Sequence, residues 1–207
     1  MEEKKTSPDI WKTSLDRLLN QLTSESAQRP RIVILGVGNQ FRADDAAGVL
    51  IARALSNREC ALDTDHLLII EAGQAPENTT GELRKFAPDL VLIIDAAEMG
   101  QQPGTIQWVP QEAIDGLSAS THSLPLSMLA RYLTLDLNCT VTLLGIQPGT
   151  NEVVGSTSLE VSLAIEEIVD QLDQSIRMYE CPGLTKFVNI TLMGKRFSRL
   201  RNRLSFE

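Results

Sequence analysis

The stretch Arg31-Ile32-Val33-Ile34-Leu35-Gly36-Val37-Gly38-Asn39 decides the fold, because an apolar run passes directly into a turn that contains glycine. Residues 32–35 are apolar throughout and mostly β-branched, which is typical of a strand covered on both faces. We predict a loop over residues 36–42. The pair Asp44-Asp45 then opens a helix, since acidic side chains are favoured beside the free N–H groups of a helix start. This strand–loop–helix unit indicates an α/β protein.

The same alternation of strands and helices continues along the chain. We predict further strands at residues 67–70, 90–94, 105–109 and 140–146, and helices at 80–86, 124–133 and from Thr157 onward, with a helical turn at 112–117. Thr157 and Glu160 fit a capping box for the last helix. Together these segments predict an α/β fold, namely a three-layer α/β/α sandwich around a mostly parallel, twisted sheet of about five strands.

The periodicity divides the chain into three regions. Residues 1–30 form a predicted N-terminal helical appendage, because apolar residues recur at helical spacing over residues 8–23. Residues 31–174 form the main domain. Residues 175–207 form a C-terminal extension, in which the alternation stops and the segment from Lys195 to Glu207 carries five basic residues and one acid. Such a basic tail is either a solvated terminus or a contact for an acidic partner.

The composition excludes several classes of protein. The chain has 207 residues, of which 43% are hydrophobic and 22% charged, as is typical of a globular protein. The formal net charge of −8 argues against nucleic-acid binding, which needs a basic face. The apolar runs are too short to cross a bilayer and the N-terminus is polar, so we expect neither membrane insertion nor a signal peptide. Three widely spaced cysteines indicate a reducing compartment, and we expect a cytoplasmic protein.

Polar residues follow the predicted strands at the points where ligands bind in open α/β sheets. Gly38 and Asn39 follow the first strand, Glu71 follows the second and Asp95 follows the third, while His122 lies in a later loop. If Asp45 and Asp95 meet at this edge, their carboxylates repel unless a proton or a cation compensates. A metal with His122 as third ligand would resolve the conflict.

Two carboxylates and one imidazole make an incomplete metal shell. A zinc site of this composition would be poor, since structural zinc sites have four ligands and catalytic ones commonly at least two nitrogen donors. We therefore expect these residues to contact a metal ion whose remaining ligands come from elsewhere.

Each candidate also has a structural interpretation. Gly36-Val37-Gly38 suggests a dinucleotide-binding loop, but the third glycine of that motif would fall at Phe41. A tight turn after the strand, which uses the conformational freedom of glycine, explains these residues as well. Asp45 could be an ordinary acid of a helix start, Asp95 could cap a loop, and His122 could be a hydrogen-bonded loop residue.

Several of these motifs together resemble the [NiFe]-hydrogenase maturation endopeptidases. The opening motif is Gly36-Val37-Gly38-Asn39 with Asp44-Asp45 and Gly48. The resemblance covers about residues 31–174, and the segments that continue it in order are Glu71-Ala72-Gly73-Gln74-Ala75-Pro76-Glu77-Asn78, Ile93-Ile94-Asp95-Ala96, Met99-Gly100, Pro103-Gly104, Thr121-His122-Ser123-Leu124-Pro125-Leu126 and Leu144-Gly145-Ile146-Gln147-Pro148. The segments 75–78 and 145–148 are most similar to the formate hydrogenlyase branch.

The resemblance implies a function and a site. Proteins of this family remove a C-terminal extension from the precursor of a hydrogenase large subunit after nickel insertion. It implies that Asp45, Asp95 and His122 are the metal-contacting and catalytic residues, and that the precursor supplies the nickel. From the resemblance we also assign substrate-binding roles to Gly38, Asn39, Glu71 and Gln74. The expected partner is the large-subunit precursor, and we expect a monomer.

Two other functions compete with this interpretation. A nucleotide-binding α/β domain would need a loop that cradles phosphate, but Phe41 and Arg42 stand where glycines should be. A non-catalytic nickel chaperone for hydrogenase assembly would use the same three residues but leave the precursor uncut.

Overall fold

The computed structural model of the protein describes residues 10–25, 28–58, 65–114, 125–150 and 155–180. The five strands are β1 (Ile32–Val37), β2 (Leu67–Gly73), β3 (Leu90–Ala96), β4 (Ile106–Pro110) and β5 (Thr140–Ile146). The helices are α1 (Ile10–Glu25), α2 (Ala47–Ser56), α3 (Thr80–Phe86), α4 (Leu126–Leu137) and α5 (Leu159–Glu180), with short 3-10 turns at Ala43–Ala46, Pro76–Thr79 and Gln111–Ala113. None of the helices among these residues has the length and apolar character needed to cross a membrane.

The strands form one sheet in the order β2-β1-β3-β5-β4. All neighbours pair in parallel except β4, which runs antiparallel to β5 at the edge. Parallel strands end on the same side, so β1, β2, β3 and β5 all end at one edge, which we call the carboxyl edge. The predicted α/β fold with a mostly parallel five-stranded sheet is confirmed.

Each face of the sheet carries its own hydrophobic core, because successive side chains of a strand point to opposite faces. Ile34 and Leu92 point to the face covered by α1, α2 and α5. Val33 and Ile93 point to the face covered by α3 and α4. The result is three layers. Cys139 is buried in the second core, and burial raises the pKa of its thiol to about 11, as suits a packing residue.

Helix α1 is part of the first core, whereas the sequence pattern predicts residues 1–30 to be an appendage to the main domain. Its buried side chains Trp11, Leu15 and Leu19 pack in the same cluster as strands β1 and β3. The Nε1 of Trp11 donates a hydrogen bond of 3.4 Å to Glu167 of α5, and Ser175 of α5 donates one of 3.1 Å to Asp16. Helix α5 also continues to Glu180, beyond the predicted boundary at residue 174.

The docking of α1 predicts a cost for a small change at Trp11. Trp11→Phe removes part of a buried ring and the bond to Glu167, so we expect the free energy of unfolding to fall by about 1–2 kcal/mol. Thr13→Ala, at an exposed position of the same helix, should change it by less than about 0.5 kcal/mol. Urea denaturation measures both values. Equal stability of Trp11→Phe and the wild type would mean that the indole ring and its bond to Glu167 add nothing to the stability of the fold.

Several predicted details differ from the structure. Asp44 and Asp45 lie in the 3-10 turn before α2, not in the helix itself. The predicted capping box of Thr157 and Glu160 is wrong by one residue, because α5 begins at Leu159. Ser158 directly precedes the helix, and its Oγ accepts a long hydrogen bond of 3.4 Å from the N–H of Val161. The predicted helical turn at 112–117 is a 3-10 turn over Gln111–Ala113, and residues 115–117 lie outside the described part.

Candidate active site

Gly38 brings the loop after β1 against two acidic residues. Its φ of +131° lies in a region that residues with a side chain rarely adopt. A Cβ at this position would lie 1.9 Å from the carbonyl oxygen of Asp45 and 3.8 Å from Oδ1 of Asp95. The N–H of Gly38 donates to the carbonyl of Gly73 at 3.0 Å, which fixes the loop to the end of β2. Gly38 therefore lies between the backbone of Asp45 and the carboxylate of Asp95.

Asp45 is held by the same loop. The N–H of Asn39 donates to the main-chain oxygen of Asp45 at 3.0 Å and to its Oδ2 at 3.2 Å. The side-chain oxygen of Asn39 accepts the N–H of Phe41 at 2.9 Å, so Asn39 shapes the turn as well. Phe41 is 72% exposed. The third glycine of a dinucleotide-binding loop, in contrast, allows close packing of the helix on the strand. The roles of Gly38 and Asn39 seen here are to build the turn and hold Asp45.

Asp95 ends the buried strand β3, opposite Gly145 of β5, and is 1% exposed. Asp45 is 9% exposed. Both acidic residues border Gly38 and are shielded from water. Carboxylates buried in one site favour a compensating cation. Among the described residues no group of three or more His, Cys, Asp or Glu side chains is arranged to hold a metal ion. The third predicted ligand, His122, lies outside the described residues.

Asp44 has a different environment from its neighbour Asp45. Its side chain is fully buried, and both carboxylate oxygens accept hydrogen bonds from the loop between β5 and α5. Oδ1 accepts the N–H of Ser158 at 2.6 Å. Oδ2 accepts the N–H groups of Gly149 and Thr150 at 2.7 and 2.8 Å and the hydroxyl of Ser158 at 3.0 Å. With four donors around it, Asp44 is a structural anchor, and Asp45 is the member of the pair that faces the Gly38 loop.

Glu71 and Gln74 lie farther out on the carboxyl edge, and both are exposed. The carboxylate of Glu71 accepts hydrogen bonds from Nε and Nη2 of Arg53 on α2, the shorter at 2.6 Å. This hydrogen bond and the charge of Glu71 raise the pKa of Arg53. Nη2 of Arg53 also donates to Gln40 at 3.1 Å, so the pair connects β2, α2 and the loop after β1. The substrate-binding role assigned to Glu71 and Gln74 stays a prediction.

Gln147 is a site-forming residue that sequence reasoning missed. It is buried directly after β5, and its Oε1 accepts the N–H groups of Met99 and Gln101 at 2.8 and 3.1 Å. Its Nε2 donates to Glu98 at 3.0 Å and to the carbonyl of Pro148 at 3.2 Å. Gln147 thereby fixes the loop that follows Asp95. The available signal was a polar residue directly after an apolar strand, the same signal that identified Asp95.

Comparisons with known proteins identify the family of the chain. The family of hydrogenase maturation proteases named HycI matches residues 49–175 of the chain. A curated relative, the hydrogenase 3 maturation protease of Escherichia coli K12, is 32% identical over 142 residues, which span 68% of this chain and 88% of that protein.

Solved structures are similar over the same region. The crystal structure of a [NiFe] hydrogenase maturation protease, HycI, from Thermococcus kodakarensis KOD1 has a TM-score of 0.65 and 31% identity, and covers 76% of this chain and 99% of that chain. The hydrogenase maturating endopeptidase HybD from E. coli has a TM-score of 0.59 and 27% identity, and covers 71% of this chain and 92% of that chain. With a family match over more than half of its length, the chain belongs to the hydrogenase maturation proteases and is a peptidase.

Proposed function

We propose that this endopeptidase removes the C-terminal extension of a [NiFe]-hydrogenase large-subunit precursor after nickel insertion. The observation that carries the proposal is that the backbone of Asp45 and the carboxylate of Asp95 both border Gly38 at the carboxyl edge, with both acidic residues buried. We place the reaction in the cytoplasm and expect the protein to act as a monomer on the precursor.

The metal in this proposal is part of the substrate. The precursor holds the nickel, and Asp45, Asp95 and His122 add oxygen and nitrogen ligands from the protease. Carboxylate and imidazole are suitable ligands for a divalent metal of this kind. Because the protease contributes only part of the coordination shell, a precursor without nickel lacks the group that these residues recognise. Processing would then follow nickel insertion, never precede it.

The carboxylates also have a chemical task. In the proposed reaction, Asp45 or Asp95 orients a water molecule near the substrate's metal and accepts its proton. The oxygen adds to the scissile carbonyl carbon, the bond from that carbon to the amide nitrogen breaks, and the proton passes to the leaving amine. Burial of both acids keeps bulk water from competing for these positions. In the simpler version, the nickel only marks a mature precursor and the acids recognise it.

The test is an incubation of the protein with its large-subunit precursor, prepared with and without nickel. We expect the loaded precursor to lose the mass of its C-terminal peptide, and the nickel-free precursor to stay intact. Mass spectrometry of both samples, with a sample lacking the protease as control, measures the change. Equal cleavage of the nickel-free precursor would contradict nickel recognition. Binding of loaded precursor without cleavage would indicate the non-catalytic chaperone.

A further inference from the structure

We propose that Asp44 is a positioning residue that fixes the carboxylate of Asp45 from the side of the β5–α5 loop. The inference rests on the proposed function of Asp45. Asp44 and Asp45 are consecutive in one short 3-10 turn, so the position of one constrains the other. The four hydrogen bonds to Asp44 all come from residues 149–158, which are distant in sequence.

Asp45 is thus held from two directions. On one side, the N–H of Asn39 donates to its carbonyl and carboxylate oxygens. On the other side, its neighbour Asp44 is tied to Gly149, Thr150 and Ser158. The turn is therefore clamped between the loop after β1 and the loop after β5. Release of either contact lets the Asp45 carboxylate move relative to Asp95.

The contact depends on a carboxylate. Hydrogen bonds to an ionised acceptor are shorter and stronger than neutral ones, and the distance of 2.6 Å from the N–H of Ser158 is short for an N–H donor. Asp44 also meets the start of the 22-residue helix α5, where the helix dipole favours negative charge. An asparagine has only one acceptor oxygen. In either orientation its NH₂ group would face at least one backbone N–H, and two donors would oppose each other.

The first test measures cleavage of the nickel-loaded precursor at saturating protease. Asp44→Asn should slow cleavage by at least about tenfold, while the protease concentration for half-saturation changes less than about threefold, because a misplaced reacting group affects the chemical step. Leu133→Ala is the stability control, since Leu133 belongs to α4 and is fully buried in the core on the other face of the sheet. It should lower the melting temperature and leave the cleavage rate of the folded protein unchanged.

A double variant separates positioning from direct catalysis. If Asp44 acts through Asp45, Asp44→Asn combined with Asp45→Asn should be no slower than Asp45→Asn alone. A multiplied loss in the double variant would overturn the proposal, as would a wild-type rate for Asp44→Asn. Failure of the wild type to cleave the loaded precursor would instead contradict the proposed function.

Hydrogen exchange tests the clamp without any substrate. The N–H of Asn39 bonds to Asp45, so its exchange in Asp44→Asn should accelerate at least tenfold, whereas exchange at Val33 in the core of β1 should follow global stability only. In Leu133→Ala the ratio of the Asn39 rate to the Val33 rate should equal that of the wild type. Unchanged protection of Asn39 in Asp44→Asn would overturn the inference, whether or not the precursor is cleaved.

Discussion

Replacement of Asp95 by asparagine is expected to slow processing of the nickel-loaded precursor by at least about 10²-fold, the loss that follows removal of a positioned acid or base. The two side chains have nearly the same shape, so the end of β3 should keep its structure. Removal of a buried charge near Asp45 should leave the melting temperature unchanged or raise it. A large loss of activity without loss of stability is the signature of a functional residue.

The matched control is Asp89→Asn, which directly precedes the opposite end of the same strand. The Oδ2 of Asp89 accepts the N–H of Arg31 at 2.7 Å, far from the carboxyl edge. This variant should process the precursor at the wild-type rate. Cleavage rates are measured by mass spectrometry with equal amounts of each folded protein. A wild-type rate for Asp95→Asn would contradict both the catalytic and the recognition version of the proposed function.

The strands were predictable because parallel strands covered on both faces are nearly continuous apolar runs. Strands β1 and β3 show this pattern, and Asp95 was recognisable as the polar residue at the end of such a run. The predicted strands ended too early, because β2 continues through Glu71 and β3 through Asp95. A polar residue at the carboxyl edge can still pair in the ladder, so hydrophobicity alone does not mark where a strand ends.

The anchors around the site could not be predicted, because their partners are remote in sequence. Asp44 bonds to residues 105 to 114 positions away, and Gln147 to main-chain groups 46 and 48 positions away. In the sequence alone, Asp44 was indistinguishable from an acid that stabilises its own helix start. The amphipathic pattern of α1 likewise predicted a helix, but only the structure reveals that its apolar face joins the core of the sheet.

Gly48→Ala is expected to destabilise the fold by about 3 kcal/mol or more, at the upper end of the cost of overpacking. Gly48 is the second residue of α2, and a Cβ there would lie 2.1 Å from the carbonyl oxygen of Ile94 and 2.3 Å from that of Val37. Both contacts are backbone atoms of central strands, which cannot rotate away as a side chain can. The helix start must therefore shift, and the turn that carries Asp45 must shift with it.

Gly81→Ala is the matched control, because Gly81 is the second residue of α3 and a Cβ there would meet nothing within 4 Å. Alanine favours a helix over glycine by about 0.5–1 kcal/mol, so this variant should be as stable as the wild type or slightly more. Urea denaturation compares the three proteins. Equal stability of Gly48→Ala and Gly81→Ala would mean that α2 does not rest on the strand ends. If the expected difference is found, the absence of a side chain at Gly48 determines how closely α2 packs on the sheet. It also determines the position of Asp45, because the turn that contains Asp45 leads directly into this helix.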